Sequence, residues 1–324
     1  MILVTGATGF LGAELVIQLL KKNNLIRCIK RTNSAIPLKL QNYQTQIEWV
    51  DANILDLSDL DDAFTGITLV YHCAALVSFR SDLKSQMLSV NMEGTANIVN
   101  LCLANNINKL VHVSSVAALG EAKNNQLVDE TCFWDGFETH NGYSVSKYRA
   151  EMEVWRGINE GLNAVIVNPS VIIGEDAGTN GSGSIFNSIK NGLSYYTQGS
   201  TGFVDVKDVA AIMIALMESD KTGERFIVNA ENISYKELFT QTAIAFHLPT
   251  PKTEAKPWML SLAWRLNTLK NKLLGQNGGL NKSVAESASK STYYDNSKIK
   301  SLLGFQFIPI KNSITNIANS LKNA

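Results

Sequence analysis

The chain has 324 residues, 45% of them hydrophobic, with 29 basic against 29 acidic side chains. That length buries a sizeable core without staples, and the balanced charge gives no global field to recruit nucleic acid or an anionic membrane, so a small-molecule ligand is expected. Four scattered cysteines without CxxC spacing, no leader-like opening and no apolar run near the roughly 18 residues of a bilayer span point to a cytoplasmic protein with reduced thiols and no metal site.

The first element is an apolar strand, Ile2–Thr5, running straight into Gly6, Ala7, Thr8, Gly9, Phe10, Leu11 and Gly12. Gly6 permits a tight turn, Gly9 lets the backbone approach a pyrophosphate with no Cβ in the way, and Gly12 lets the next helix pack close. Free N–H groups at the start of that helix favour phosphate, so the motif reads as a dinucleotide cradle. Helical apolar spacing follows over Leu11–Lys22. Further strands are predicted at Ile26–Lys30, Ile47–Val50, Leu69–Cys73, Lys109–Ser114 and Ala164–Asn168, between helices at Leu57–Phe64, Lys84–Asn105 and Gly142–Asn159. Such alternation predicts an α/β fold, a Rossmann-type doubly wound parallel sheet. Beyond Gly174 the chain turns loop-like, Phe203–Ala210 and Ile212–Met217 read as a return to the sheet followed by Arg225–Asn229, and the rest is helical and irregular. The expected division is a dinucleotide-binding domain of residues 1–174 and 203–228 with a smaller C-terminal substrate lobe of residues 175–202 and 229–324.

In such a domain a carboxylate near the end of the second strand binds the ribose hydroxyls of NAD, and none occurs between Leu25 and Ser34. Arg31, helped by Lys30 and the hydroxyls of Thr32 or Ser34, suits a 2′-phosphate, so NADP is the preferred cofactor and NAD the alternative. The fifth strand runs into Ser114 and Ser115, at the carboxyl edge where ligands of open α/β sheets bind. Tyr143 and Lys147 then fall one turn apart on a helix. An ammonium about 4 Å from the phenol favours phenolate by up to ~4 kcal/mol at an effective dielectric near ~20, enough to bring its pKa from roughly 10 toward about 7. Tyr294 and Lys298 repeat the spacing, but far past the sixth strand.

Together these residues resemble the extended short-chain dehydrogenase/reductases, also called the NAD(P)-dependent epimerase/dehydratase superfamily, from Met1 to about Leu321. The matching stretches are Thr5–Gly12, Tyr71–Ala75, Val90–Thr95, Val113–Gly120, Tyr143–Lys147, Asn168–Gly174, Phe203–Asp208, and Tyr294–Lys298 with Leu303–Phe305. The resemblance implies Tyr143 as acid/base, Lys147 as the group that lowers its pKa and holds the nicotinamide ribose, and Ser115 as the group that polarises the substrate oxygen. It implies cofactor contacts from Gly6, Thr8, Gly9, Phe10, Leu11, Gly12, Arg31, Asn53, Ile54, Ala74, Ala75, Pro169, Ser170 and Val171 as well as Tyr143 and Lys147. Asn53 stands where many relatives carry Asp against the adenine. For Asn91 the implied role is structural or water-positioning, and for the tail YxxxK a fold element. A homodimer joined through Lys84–Asn105 and Gly142–Asn159 is implied as well.

Within that superfamily the chain is most similar to the dihydroflavonol-reductase-like and 3β-hydroxysteroid-dehydrogenase-like branch, on Arg31, Asn168 to Ser170 and Phe203–Asp208. Between Glu175 and Gly202 the only cation is Lys190, too few to neutralise the pyrophosphate of a nucleotide sugar. Leu76, Val77, Phe79, Phe133, Trp134, Tyr195 and Tyr196 suit a mainly apolar pocket instead. The leading expectation is NADP-dependent reduction of an aldehyde or ketone, or the reverse oxidation. The alternatives are an NAD-dependent nucleotide-sugar epimerase or dehydratase and a non-catalytic nucleotide sensor. Residues 256–274 are amphipathic, with Lys256, Arg265, Lys270 and Lys272 beside an apolar stripe; packing of that stripe on the core is expected ahead of contact with a membrane. His140 is expected to be an ordinary loop residue.

Overall fold

The computed structural model describes residues 1–78, 80–122, 126–134, 141–178, 181–274 and 280–323, so Phe79 and His140 lie outside the described residues. In chain order the strands are β1 (Ile2–Thr5), β2 (Ile26–Lys30), β3 (Ile47–Asp51), β4 (Leu69–His72), β5 (Lys109–Val113) and β6 (Ala164–Pro169). These are followed by β7 (Val171–Ile173), β8 (Tyr195–Tyr196), β9 (Ser200–Asp205), β10 (Glu224–Val228), β11 (Glu231–Ser234) and β12 (Thr253–Glu254). Seven of them form one parallel sheet in the order β10-β6-β5-β4-β1-β2-β3.

Both faces of that sheet are covered, which is why β1 and β6 are buried along their whole length. On one face Leu15, Val16 and Leu19 of the helix Phe10–Leu20 pack with Val209, Met213 and Leu216 of the helix Val206–Glu218. On the other, Leu60 and Phe64 share a cluster with Ile98, Val99 and Val154, from the helices Leu57–Phe64, Gly94–Ala104 and Gly142–Asn159. Because β1 has β2 on one side and β4 on the other, the winding reverses there and a crevice opens at the carboxyl ends of these two strands.

A three-stranded sheet, β11-β9-β7, lies outside the large one. Its core contains Phe186, Phe203, Ile233, Leu238, Ile310 and Ile314. Thus Ser200–Asp205 pairs with β7 and β11, whereas β10 joins the large sheet beside β6.

Two helices differ from expectation. The predicted helix Lys84–Asn105 is three pieces: Lys84–Leu88, a π-helical turn over Ser89–Glu93, and Gly94–Ala104. A wider turn of this kind re-aims one side chain, here the buried Asn91. The amphipathic helix runs over Pro257–Leu274, but Trp258, Leu262 and Leu266 are exposed, so packing on the core does not account for its stripe.

Candidate active site

At the crevice, Gly6 takes φ +69°, and a Cβ there would stand 2.6 Å from the Ala74 nitrogen. A Cβ on Gly12 would stand 2.2 Å from the Gly6 carbonyl oxygen. The sequence therefore lays the helix directly on the turn, with Leu11 buried beneath it. Gly9 precedes the helix in extended conformation without a side-chain cap; its N–H donates to Gly6 (2.9 Å) and its carbonyl accepts from Ala13 (2.9 Å). Thr8, Gly9 and Phe10 border a cavity of about 390 Å3 that Lys39 and Glu175 also line.

Beside the turn, Thr5 and His72 fasten β1 to β4. Thr95 Oγ1 donates to the Asn91 carbonyl (2.6 Å), so its other contact, His72 Nε2 at 3.0 Å, is the donor to it. His72 Nδ1 is then left to accept from Thr5 Oγ1 (2.7 Å), which in turn accepts from the Ala74 N–H (3.1 Å). Burial holds His72 down to about 3, so the imidazole is neutral.

A second cavity, of about 430 Å3, lies past the ends of β2 and β3, lined by Arg31, Thr32, Asn33, Ser34, Ala52, Asn53 and Asp59. Arg31 is exposed and makes no ion pair among the described residues. Lys30 does not assist it: it pairs with Asp51, its register partner on β3. Asn53 Oδ1 accepts from the Leu55 N–H (3.1 Å), and Asp59 Oδ2 accepts from the Asn53 N–H (3.3 Å). Asp59 was not foreseen; its one cue was its place in the first turn of a helix capped by Asp56. Ile54 is buried, and a Cβ on Gly94 would stand 2.5 Å from its Cδ1.

The helix Gly142–Asn159 starts at an Asn141 cap, whose Oδ1 accepts from the Ser144 N–H (2.9 Å). That start brings Tyr143 to Ser115, just past β5, and their side chains are hydrogen-bonded. Ser115 Oγ also accepts from the Ala117 N–H (3.1 Å). One turn further on, buried Lys147 donates to the Val113 carbonyl (2.8 Å). Burial brings its ammonium down to about 8, with the Glu151 carboxylate pulling the other way.

The phenol behaves opposite to expectation. Burial raises Tyr143 above the ordinary tyrosine value, and the Ser115 hydrogen bond only partly offsets that. Lys147, held on the Val113 carbonyl, is not among the groups acting on it.

Asn91 ties the loop after β4 to this helix. Its Oδ1 accepts from the Leu76 N–H (2.7 Å), and its Nδ2 donates to the Leu76 carbonyl (3.0 Å) and to Ser146 Oγ (2.9 Å). Ser146 in turn donates to the Tyr143 carbonyl (2.8 Å). Ala74 and Ala75 lie at the start of that loop and are half-buried. Pro169 ends β6, Val171 begins β7, and buried Ser170 between them donates its N–H to Val228 (3.1 Å).

Beneath the tyrosine and lysine lies a charged network that sequence reasoning missed. Glu151, wholly buried, accepts from Ser114 Oγ (2.5 Å), Asn168 Nδ2 (2.8 Å), Trp155 Nε1 (3.2 Å) and Arg225 Nη1 (3.0 Å). Arg225 also donates to the carbonyls of Glu130 (2.8 Å) and Cys132 (3.1 Å) and stacks 5.0 Å from the Phe133 ring centre. Asn168 also donates to the Ser115 carbonyl (3.0 Å). The available cue was spacing, since Tyr143, Lys147 and Glu151 fall four apart on one helix face.

Of the expected pocket residues, Trp134 stacks on Tyr148 (4.4 Å between ring centres) and donates to the Leu119 carbonyl (2.9 Å), while Val77, Phe133 and Tyr195 are exposed. Lys190 is spent on the Leu321 carbonyl (2.6 Å). The second YxxxK makes different contacts: Lys298 donates to the Arg225 carbonyl (2.8 Å) and pairs with Glu224 (2.9 Å).

Residues 2–230 match the NAD dependent epimerase/dehydratase family. A Synechocystis sp. protein that carries the provisional name dihydroflavonol 4-reductase is 31% identical over 99% of this chain and 94% of its own length. Cinnamoyl-CoA reductase 1 of Petunia hybrida is 28% identical over 80% of this chain and 83% of its own. Among solved structures, gox2253 superposes with a TM-score of 0.85 at 26% identity, covering 100% of this chain and 98% of that one.

Proposed function

The chain belongs to the NAD-dependent epimerase/dehydratase family and is an NAD(P)-dependent enzyme of the extended short-chain dehydrogenase/reductase type; on that premise we propose that it reduces an aldehyde or ketone of a small, mainly apolar substrate with NADP as its cofactor. The observation that carries this is the Tyr143 phenol bonded to Ser115, with Lys147 one turn away at the carboxyl end of β5. Similarity to reductases supports the direction.

The residues present fit a dinucleotide. The glycine turn packs tightly on Ala74 and on the helix start, leaving the helix N-terminus at Gly9 without a side-chain cap beside the cavity that Thr8, Gly9 and Phe10 border. The second cavity offers Arg31, Thr32 and Ser34 to a 2′-phosphate and Asn53 to an adenine. Gly6, Thr8, Gly9, Phe10, Leu11 and Gly12 would take the pyrophosphate, and Ile54, Ala74, Ala75, Pro169, Ser170 and Val171 would line the rest of the cofactor. When bound, the nicotinamide supplies the hydride. Ser115 donates a hydrogen bond to the substrate carbonyl oxygen, and Tyr143 passes its proton to that oxygen as it becomes an alcohol. A phenol raised by burial stays protonated near neutral pH, as a proton donor must. Lys147, at about 8, keeps its charge at that pH and would hold the nicotinamide ribose one turn from Tyr143. In this reading residues 1–174 and 203–228 bind the cofactor, and residues 175–202 and 229–324 enclose the substrate.

A screen of NADPH and NADH against aldehydes, ketones and nucleotide sugars, followed at the reduced-nicotinamide absorbance, tests the proposal. NADPH should be consumed with a carbonyl substrate, and Tyr143→Phe should lower kcat by about 100- to 10,000-fold. Turnover of a nucleotide sugar without added nicotinamide, or a Tyr143→Phe enzyme as fast as the parent, would overturn it.

A further inference from the structure

The helix Pro257–Leu274 packs along the helix Lys282–Ser289, and its Met259, Leu260, Trp264 and Asn267 are partly buried. Its other face is open. Trp258, Leu262 and Leu266, spaced four apart and so on one side of the helix, are 65%, 51% and 56% exposed. In the sequence Leu269 and Leu273 follow, three and seven residues after Leu266. An apolar stripe this long on a free helix face marks a contact surface.

Its charge identifies the partner. No Asp or Glu occurs between Glu254 and Glu286, yet Lys256, Arg265, Lys270, Lys272 and Lys282 do. Elsewhere a helix pairs its cations, as Arg156 is paired with Glu153 and Glu160; here Lys256, Arg265 and Lys270 meet no carboxylate among the described residues. Helical periodicity sets Arg265 on one flank of the stripe and Lys270 on the other. Arg265 lies over the Trp264 ring (5.1 Å) and donates to Ser261 Oγ (2.7 Å), so it stays on the outer side with its charge uncompensated. A second copy of this chain presenting the same face would set cation against cation, with no acid in the segment to answer them.

We infer that this helix docks on an anionic lipid bilayer, lying in the interfacial plane. Trp258, Leu262 and Leu266 enter the boundary between headgroups and acyl chains, and Lys256, Arg265 and Lys270 meet the lipid phosphates. The contact is peripheral: among the described residues no helix is long and apolar enough to cross a membrane. A net charge of zero over the whole chain conceals this local excess.

Co-sedimentation of the full chain with vesicles of phosphatidylcholine alone, or with about 30% phosphatidylglycerol, at low and high ionic strength is the test. The bound fraction should be at least about tenfold greater on the phosphatidylglycerol vesicles and should fall with salt. It should also be lost in the double variant Leu262→Glu, Leu266→Glu while that variant unfolds at the parent temperature. Failure to bind phosphatidylglycerol vesicles, equal binding to both compositions, or binding unaffected by the double variant would overturn the inference. So would a parent dimer that the double variant splits without any vesicle binding, because the stripe would then be a contact between copies.

Discussion

Lys30 and Arg31 are neighbouring cations with different fates, and the difference decides what each can do. Lys30 is neutralised by Asp51 across the β2–β3 pair, whereas Arg31 lines the cavity beyond the strand ends without an ion pair among the described residues. Arg31→Asp should therefore lower the ratio of kcat/KM for NADPH over NADH by about tenfold or more, and Lys30→Ala should leave it near the parent value. Steady-state kinetics with both cofactors reads this directly. Glu151 tests the buried network. Replacing it by Gln leaves the Arg225 guanidinium charged and unpaired at 5% exposure, which should destabilise the fold by about 3–5 kcal/mol in urea unfolding. That Tyr143 and Lys147 stand one turn apart on a helix, with Ser115 at the end of β5, was legible in the sequence because it follows from local spacing and a strand end. The upward shift of Tyr143 was not, because it depends on how deeply the packed chain buries the phenol and on where the Lys147 ammonium is anchored. The Glu151–Arg225 pair was equally hidden, its partners standing 74 residues apart.

Elements bounded by local chemistry came out where pattern placed them: Ile2–Thr5, Ile26–Lys30, Leu57–Phe64 and Gly142–Asn159 have the expected limits. In the helices the Asp56 and Asn141 caps fix the starts. The π-helical turn at Ser89–Glu93 could not be read, because it follows from the contacts of Asn91 with Leu76 and Ser146 rather than from propensity. The expected return of Phe203–Ala210 to the large sheet is corrected for a similar reason: its strand part pairs with β7 and β11 in the smaller sheet instead, since periodicity gives a strand but not its neighbours. The helix Val206–Glu218 carries a further consequence. Asp205 caps it through the Lys207 N–H (2.8 Å), and Asp208 in its first turn accepts from the Ile308 N–H (2.8 Å). Burial, with Asp205 as a like-charged neighbour, raises Asp208 to about 6. A raised carboxyl favours the fold while protonated, and that contribution is lost as pH climbs from about 4 through about 6. Asp208→Asn, which keeps an acceptor for Ile308, should raise stability at pH 7 by about 1 kcal/mol and change it little at pH 4, as read from denaturant midpoints.

Across the whole molecule, the order β10-β6-β5-β4-β1-β2-β3 sets the glycine turn of β1, the cavity past β2 and β3, and the Ser115–Tyr143 pair past β5 along one edge of one sheet. In the proposed function a dinucleotide spans that edge, with its 2′-phosphate at one end and its reactive ring at the other. The crystal structure of the NADP+ complex tests this most directly. The nicotinamide ring should lie within about 4 Å of the Tyr143 hydroxyl, close enough for proton and hydride to reach one substrate carbonyl, with the 2′-phosphate on Arg31. A ring bound away from Tyr143, or a dinucleotide held elsewhere on the chain, would contradict it.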